Sequence, residues 1–162
     1  MYNLDAIAHK GVDIVCNIIR ENIPIKDKFF DEVWMFHMIE HITRVNRPSI
    51  LLEINRVLVS GGRAIFSYPE FSKCVTNYLE NKNGQRDFWA ATLYGRQSHQ
   101  FDYHVVPMHS ELFKHELIDY GFRDIEVMEE SEQEPFNTII YGTKFEDIIT
   151  KEQVIAEECC QL

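Results

Sequence analysis

Hydrophobic and polar residues along this chain alternate between short apolar runs and helical patterns. Apolar runs over residues 1–7, 12–18 and 31–37 predict three strands, of which the third is expected to be the most buried. Residues 46–58 carry apolar side chains at helical spacing, with a proline in the first turn and glycine soon after the last. The pattern therefore predicts a helix after the third strand.

A further strand and helix follow. Residues 62–69 predict a strand that continues directly from the helix, and residues 70–108 form a long mixed segment without a clear period. The next helical pattern begins at Ser110, whose hydroxyl is expected to cap it, and ends at Gly121.

The last two apolar runs, residues 123–130 and 137–144, predict an antiparallel pair joined by a turn at Pro135. Strands that alternate with helices indicate an α/β fold with a largely parallel sheet, here closed by that antiparallel pair. We expect one domain over residues 1–145, followed by an acidic tail over residues 146–162.

Composition narrows the class of protein. The chain has 162 residues, 45% of them hydrophobic, and a formal net charge of −10, which disfavours a nucleic-acid partner. It contains neither a run of eighteen apolar residues nor a signal-like start, so we expect a cytoplasmic protein that does not enter membranes. The cysteines have no metal-site or disulfide spacing and are expected to be free thiols: Cys16, Cys74, Cys159 and Cys160.

Three segments carry a family resemblance: "FDEVWMFHMIEHI", "LLEINRVLVSGGRAIFSYP" and "HELIDYGFRDIEV". In their order and spacing they resemble the C-terminal two-thirds of a class I S-adenosylmethionine-dependent methyltransferase of the small-molecule type, over residues 1–144. The resemblance implies a Rossmann-like sheet, S-adenosyl-L-methionine as cofactor and a small-molecule or sugar-like acceptor. "VSGG" at residues 59–62 departs from the usual "KPGG" but keeps both glycines.

The family's glycine-rich turn after its first strand is absent from this sequence. Glycine is needed there because a Cβ atom would block the approach of backbone N–H groups to the methionine end of the cofactor. The resemblance thus predicts an N-terminally truncated fold with a gap in the sheet where the first strand would lie. Residues 1–7 would then pair directly with residues 31–37, be displaced or poorly ordered, or leave a gap that another chain fills.

Cofactor contacts are implied at five positions. Asp5 matches the acidic residue that accepts hydrogen bonds from the ribose, with a turn aspartate as the equal alternative. Asn17, with Ile18 beside it, matches the position that contacts the adenine, and the Asn17 amide oxygen could accept a bond from its amino group. Phe36 and His37 end the third strand where the family lines the cofactor, although residue type favours a core role for Phe36.

Glu40 and His41 follow the third strand, and with His104 they are the candidate catalytic residues. An amine or hydroxyl acceptor must lose a proton to attack the S-methyl group, so a nearby base would help. The structural alternative, favoured for the first pair, is that His41 bonds loop backbone and Glu40 helps to cap the following helix.

The mixed segment over residues 70–108 is rich in aromatic residues, which could roof a pocket or simply pack as a long loop. Arg96, His99 and Asp102 join His104 in a polar group suited to orienting an acceptor. The histidine spacings match no helical metal-binding pair, so we expect no metal.

The first hypothesis is therefore a truncated methyltransferase domain, inactive or nearly so as this chain. The second is a non-catalytic methyltransferase-like domain that associates with a partner or with itself across the open sheet edge. A nicotinamide-dependent oxidoreductase would also need a glycine fingerprint and leaves "EH" and "RVLVSGG" unexplained.

Overall fold

Two sheets form in the part of the chain that the structure, a computed structural model, describes: residues 1–99, 101–129 and 136–145. The smaller sheet pairs β1 (Leu4–Asp5) with β2 (Ile14–Val15) in parallel. The larger sheet has the order β3-β4-β6-β5 and consists of β3 (Phe30–Phe36), β4 (Leu58–Pro69), β5 (Phe122–Glu129) and β6 (Asn137–Lys144). β3 and β4 are parallel, and β6 is antiparallel to both β4 and β5. The predicted α/β sheet with an antiparallel pair at its end is confirmed.

The first two strands are shorter than predicted and form a sheet of their own. Among the described strands, β1 pairs only with β2, and β3 pairs only with β4. Direct pairing of residues 1–7 with residues 31–37, one of the expected arrangements, does not occur.

The small sheet is fastened to the rest of the domain by specific contacts. The ring of Tyr2 packs edge-on against the rings of Phe29 and Phe30. The N–H of Ile23 donates a hydrogen bond of 2.6 Å to Oε1 of Glu53. These contacts join the region before β1 to the start of β3, and the segment after β2 to the helix that carries Glu53.

β3 is half-buried, so the expectation that it is the most buried strand is wrong. Met35 points into the core, whereas Trp34 and Phe36 are 58% and 51% exposed. Successive side chains of a strand point to opposite faces of the sheet. In β3 the face that carries Met35 packs against the core, and the opposite face carries Trp34 and Phe36. The core role favoured for Phe36 is therefore also wrong.

The helix predicted over residues 46–58 is α1 (Arg47–Val57). Its Ile50, Leu51 and Ile54 side chains are fully buried against the sheet. β4 begins at once and bends at Gly61, whose φ of +79° suits glycine. The strand therefore starts four residues earlier than the predicted 62–69.

Residues 70–108 are not one long loop as the sequence suggested. They form α2 (Phe71–Leu79) and α3 (Arg86–Tyr94). Trp89 of α3 is buried edge-on against Phe136, and its indole N–H donates to the carbonyl of Lys82. The contact between Trp89 and Phe136 joins residues distant in sequence, and a search for periodicity could not detect it.

The last helix is α4 (Ser110–Asp119), which buries Phe113 and Leu117 and ends before Gly121 at a φ of +84°. Ser110 is its first residue rather than its cap, so the predicted capping role is wrong. The carboxylate of Glu70 instead accepts a hydrogen bond from the backbone N–H of Ser110.

Several predictions concern other parts of the chain. Cys16 and Cys74 are buried free thiols, as expected. Cys159, Cys160, the turn at Pro135 and the tail over residues 146–162 lie outside the described residues. No described helix has the length and apolar character that crossing a membrane requires.

Candidate active site

The end of β3 turns sharply into the candidate catalytic residues. His37 adopts a left-handed backbone with φ of +47°, and a 3-10 turn over Ile39–His41 follows. The backbone N–H of His37 donates to the carbonyl of Ser67 on β4, and Ile39 is fully buried. This turn therefore has a defined position relative to the sheet.

The same turn binds the segment that carries His104. The backbone carbonyl of Glu40 accepts hydrogen bonds from the N–H groups of Val105, at 2.9 Å, and Val106, at 3.3 Å. His104 is consequently brought next to Glu40 although more than sixty residues separate them in sequence.

Glu40, His41 and His104 form one cluster, in which one ligand atom from each residue lies within 4.8 Å of the others. The Glu40 side chain is buried, and neither of its oxygens has a hydrogen-bond partner among the described residues. The nearest cationic candidate is His37, whose Nδ1 lies 3.4 Å from Oε1 of Glu40. The structure thus brings together the three residues that sequence analysis selected as catalytic.

His41 is oriented by the backbone. Its Nδ1 lies 2.9 Å from the carbonyl oxygen of Tyr103, which can accept a hydrogen bond if that nitrogen carries the proton. The rings of His41 and His104 meet edge-on, with centroids 4.8 Å apart. The contact with Tyr103 agrees with the alternative that His41 bonds loop backbone. It leaves Nε2 of His41 able to accept a proton or bind a cation.

His104 is held in its neutral form. Burial lowers the pKa of its imidazole below the usual value, while the Glu40 carboxylate acts in the opposite direction. A neutral imidazole can accept a proton or bind a cation through its unprotonated nitrogen.

Two cavities adjoin this region. One, of about 10 Å³, is lined by Glu40, His104 and residues of β4, α2 and α3. A second, of about 300 Å³, is lined in part by Arg44, Arg47 and Glu116 and was not anticipated from sequence. Its residues come from distant parts of the chain, and no local motif links them.

The polar group predicted around His104 is only partly assembled. The Asp102 carboxylate accepts bonds from both the hydroxyl and the backbone N–H of Ser98, and these bonds lower its pKa. Nδ1 of the exposed His99 accepts a bond from the N–H of Phe101. Asp102 and His99 thus make hydrogen bonds within their own loop, and Arg96 is exposed.

At the predicted cofactor side, Asp5 lies at the carboxyl end of β1. Its Oδ1 accepts a bond from the N–H of Ile7, and its Oδ2 lies 3.3 Å from Nε2 of His9. The hydrogen bond from the N–H of Ile7 lowers the pKa of Asp5 most, and the contact with His9 lowers it further. This carboxylate is therefore ionised at neutral pH. The local bonds agree with a turn role, and each oxygen keeps a further lone pair for a ribose hydroxyl.

The other proposed cofactor residues differ in accessibility. The Asn17 side-chain oxygen accepts a bond from the N–H of Ile19, while Ile18 packs in the main core. Phe36 is half-exposed and packs edge-on against Trp34. His37 is about half-exposed, with its Nε2 lying 3.4 Å from the Asn137 amide nitrogen.

Comparisons with known proteins agree with this fold. Residues 3–66, less than half of the chain, match a family model described as a methyltransferase domain. A comparison with curated proteins finds no match in sequence.

Two solved structures are similar over most of the chain. A SAM-dependent methyltransferase from Archaeoglobus fulgidus is 16% identical, with a TM-score of 0.57 over 83% of this chain and 68% of its own. A SAM-dependent methyltransferase from Thermotoga maritima, described as a possible histamine N-methyltransferase, is 20% identical, with a TM-score of 0.56 over 83% of this chain and 64% of its own. This chain thus spans about two-thirds of each of them. The likeness of the fold to class I methyltransferases, inferred from sequence, is confirmed, and both solved structures are described as SAM-dependent, in agreement with the expected cofactor.

Proposed function

We propose that this chain, which has the fold of a class I S-adenosylmethionine-dependent methyltransferase, transfers a methyl group to an amine or hydroxyl of a small-molecule or sugar-like acceptor. The observation that carries the proposal is the cluster of Glu40, His41 and His104 directly after β3. Ligands of open α/β sheets bind beyond the carboxyl ends of the strands, which is where this cluster lies.

The cluster can supply a base. His104 is neutral because burial lowers its pKa, so its free nitrogen can take the proton of an acceptor O–H or N–H group. When bound, S-adenosylmethionine supplies an electrophilic methyl group on a positively charged sulfur. The acceptor would take that methyl group, with the electron pair of the carbon–sulfur bond left on sulfur, while His104 would hold the proton that the acceptor loses. The Glu40 carboxylate stabilises the protonated His104 that results.

The residues at the ends of β1 and β2 suit the ribose and adenine end of the cofactor. Asp5 offers an ionised acceptor at the end of β1, and Asn17 follows the end of β2. We also propose cofactor contacts from the segment after β2, at Ile18, and from the end of β3, at Phe36 and His37. At the methionine end, the sequence offers no glycine-rich turn. We therefore expect binding that depends mainly on the adenosine end.

The test is formation of S-adenosylhomocysteine at millimolar S-adenosylmethionine with a panel of small amines and sugars. We expect His104→Gln to lower the rate by about 100-fold or more, which is the usual contribution of a general base. His99→Gln is the matched control because His99 is exposed and lies outside the cluster. Equal rates for His104→Gln and the unmodified chain would contradict the proposed role of His104 as the base.

A second candidate is a non-catalytic domain that associates with another copy of itself. The supporting observation is β3, which pairs within the described residues only with β4 and exposes Trp34 and Phe36. Sedimentation equilibrium distinguishes the candidates. Association is supported if the chain forms a dimer that Trp34→Lys abolishes and that Val45→Lys, at another exposed site, leaves intact. A monomer at all concentrations argues against it.

A further inference from the structure

We propose that Glu40, His41 and His104 form a binding site for one divalent transition-metal ion, with Zn²⁺ or Mn²⁺ as the expected occupant. The proposal goes beyond methyl transfer, since binding of the ion does not require the proposed reaction. It also replaces the sequence-based expectation of a site without metal.

The carboxylate of Glu40 is the first observation. It is 1% exposed, and both of its oxygens lack hydrogen-bond partners among the described residues. A buried carboxylate without such bonds is costly, and buried charges are normally paired or coordinate a metal. His37 lies 3.4 Å from one oxygen, but its side chain is about half-exposed, and it is charged only when protonated. A cation at the cluster would satisfy Glu40 whatever the protonation state of His37.

The two histidines provide the second observation. Metal-binding histidines usually donate the N–H of one ring nitrogen to a backbone carbonyl or carboxylate, which orients the other nitrogen toward the metal. Nδ1 of His41 lies 2.9 Å from the carbonyl oxygen of Tyr103, and the ring of His104 meets the ring of His41 edge-on, with centroids 4.8 Å apart. His41 thus has one nitrogen engaged by the backbone and one left as a ligand, and His104 contributes the third ligand atom of the cluster.

The geometry requires only a small adjustment. The three ligand atoms lie within 4.8 Å of one another. Around a tetrahedral ion with bonds of about 2.05 Å, the ligand atoms would lie roughly 3.3 Å apart. Movement of the ligand atoms by about one to two ångströms closes that difference. A cavity of about 10 Å³ borders Glu40 and His104 on one side of the cluster.

The donor set selects the class of ion. Two imidazoles and one carboxylate suit Zn²⁺, Mn²⁺ and similar transition ions, whereas Mg²⁺ and Ca²⁺ prefer oxygen ligands alone. Three protein ligands leave at least one position open for an oxygen of an acceptor. In the ion-bound form Glu40 and His104 are ligands rather than bases, and the ion lowers the pKa of the bound hydroxyl.

The test is isothermal titration calorimetry of the full chain, after removal of metals with EDTA, with ZnCl₂, MnCl₂ and MgCl₂. The background is Cys159→Ser with Cys160→Ser, because adjacent thiols bind zinc on their own. We expect one Zn²⁺ or Mn²⁺ per chain and much weaker binding of Mg²⁺. Loss of a residue that hydrogen-bonds to a metal ligand weakens metal affinity by about 10- to 100-fold. Loss of a ligand itself costs more, so Glu40→Gln and His104→Gln should each weaken the affinity by about 100-fold or more.

His99→Gln serves as the control and should bind the ion normally, with folding of every variant checked by circular dichroism. A second readout needs no variant: Zn²⁺ should shift the NMR resonances of His41 and His104 but not those of His99. Absence of binding would overturn the proposal, as would binding that Glu40→Gln and His104→Gln leave unchanged or NMR shifts confined to other histidines.

The two proposals can fail separately. Metal binding without methyl transfer upholds the ion site alone. Methyl transfer that is unaffected by EDTA, together with an absence of metal binding, upholds the base mechanism and overturns the ion site.

Discussion

The carboxylate of Glu70 accepts a hydrogen bond of 3.1 Å from the backbone N–H of Ser110, so the residue that follows β4 closes the start of α4. Glu70 is buried and also lies 3.5 Å from Nδ1 of His109. The first N–H groups of a helix have no partner within it, and the positive end of the helix dipole favours an anion there. Glu70 thereby holds α4 against the end of the sheet next to the candidate active site.

Replacement of Glu70 should destabilise the domain. We expect Glu70→Ala to lower the free energy of unfolding by about 1–2 kcal/mol, the usual cost of losing a helix cap. Ser110→Ala should change it by less than about 0.5 kcal/mol, because the Ser110 side chain does not cap the helix. Urea unfolding followed by circular dichroism measures both values, and a larger loss for Ser110→Ala would contradict the assignment of the cap.

Lys144, at the end of β6, should be a second point of stabilisation. Its ammonium group is buried and donates to the carbonyls of Asn55 and Leu58 at the end of α1, at 2.8 and 3.0 Å. We expect Lys144→Met to lower the free energy of unfolding by about 2–3 kcal/mol, because these bonds involve a charged donor and buried acceptors. Lys10→Met, at an exposed position, is the control for loss of charge alone. Equal urea midpoints for the two variants would show that the buried bonds contribute nothing.

Cofactor affinity should be low for this 162-residue chain. Without a glycine-rich turn, several hydrogen bonds to the charged methionine end are missing, each worth about 1.5–3 kcal/mol. We expect S-adenosylhomocysteine to bind at least about 100-fold more weakly than it does to a relative that has the turn. Addition of a strand, glycine-rich turn and helix ahead of Met1 should restore affinity. Micromolar binding to the chain alone in calorimetry, lost on Asp5→Ala, would mean that the pocket is sufficient without the turn.

The contribution of Asp5 to the stability of the fold should depend on pH. Its pKa is lowered in the folded state, chiefly by the bond from the Ile7 N–H and then by His9. A carboxyl group of this kind contributes stability above its unfolded pKa of about 3.9, and that contribution is lost as pH falls through the lower folded value. His9→Ala should therefore raise the pKa of Asp5 toward its ordinary value. Carbon-detected NMR of the Asp5 carboxyl group during an acid titration measures the shift, and an unchanged midpoint would show that His9 has no effect.

Local sequence pattern determined much of the fold. α1 was predicted to within one residue at each end, because Ile50, Leu51 and Ile54 repeat at helical spacing and are all buried. β6 was predicted over its full range, and the alternation of strands and helices indicated an α/β fold, while the resemblance of three segments pointed to the methyltransferase family. Such features depend on periodicity and turn chemistry within a few residues, which a sequence displays directly.

Tertiary structure decided the features that depend on contacts distant in sequence. The exposure of Phe36 follows from which face of β3 the helices cover, and the burial of Trp89 follows from its contact with Phe136. The separate pairing of β1 with β2 likewise depends on which strands meet in space. Glu40 and His104 were both selected from sequence, but their proximity depends on backbone hydrogen bonds between segments more than sixty residues apart. Side-chain spacing cannot encode such a juxtaposition, because it is set by the path of the backbone through the folded chain.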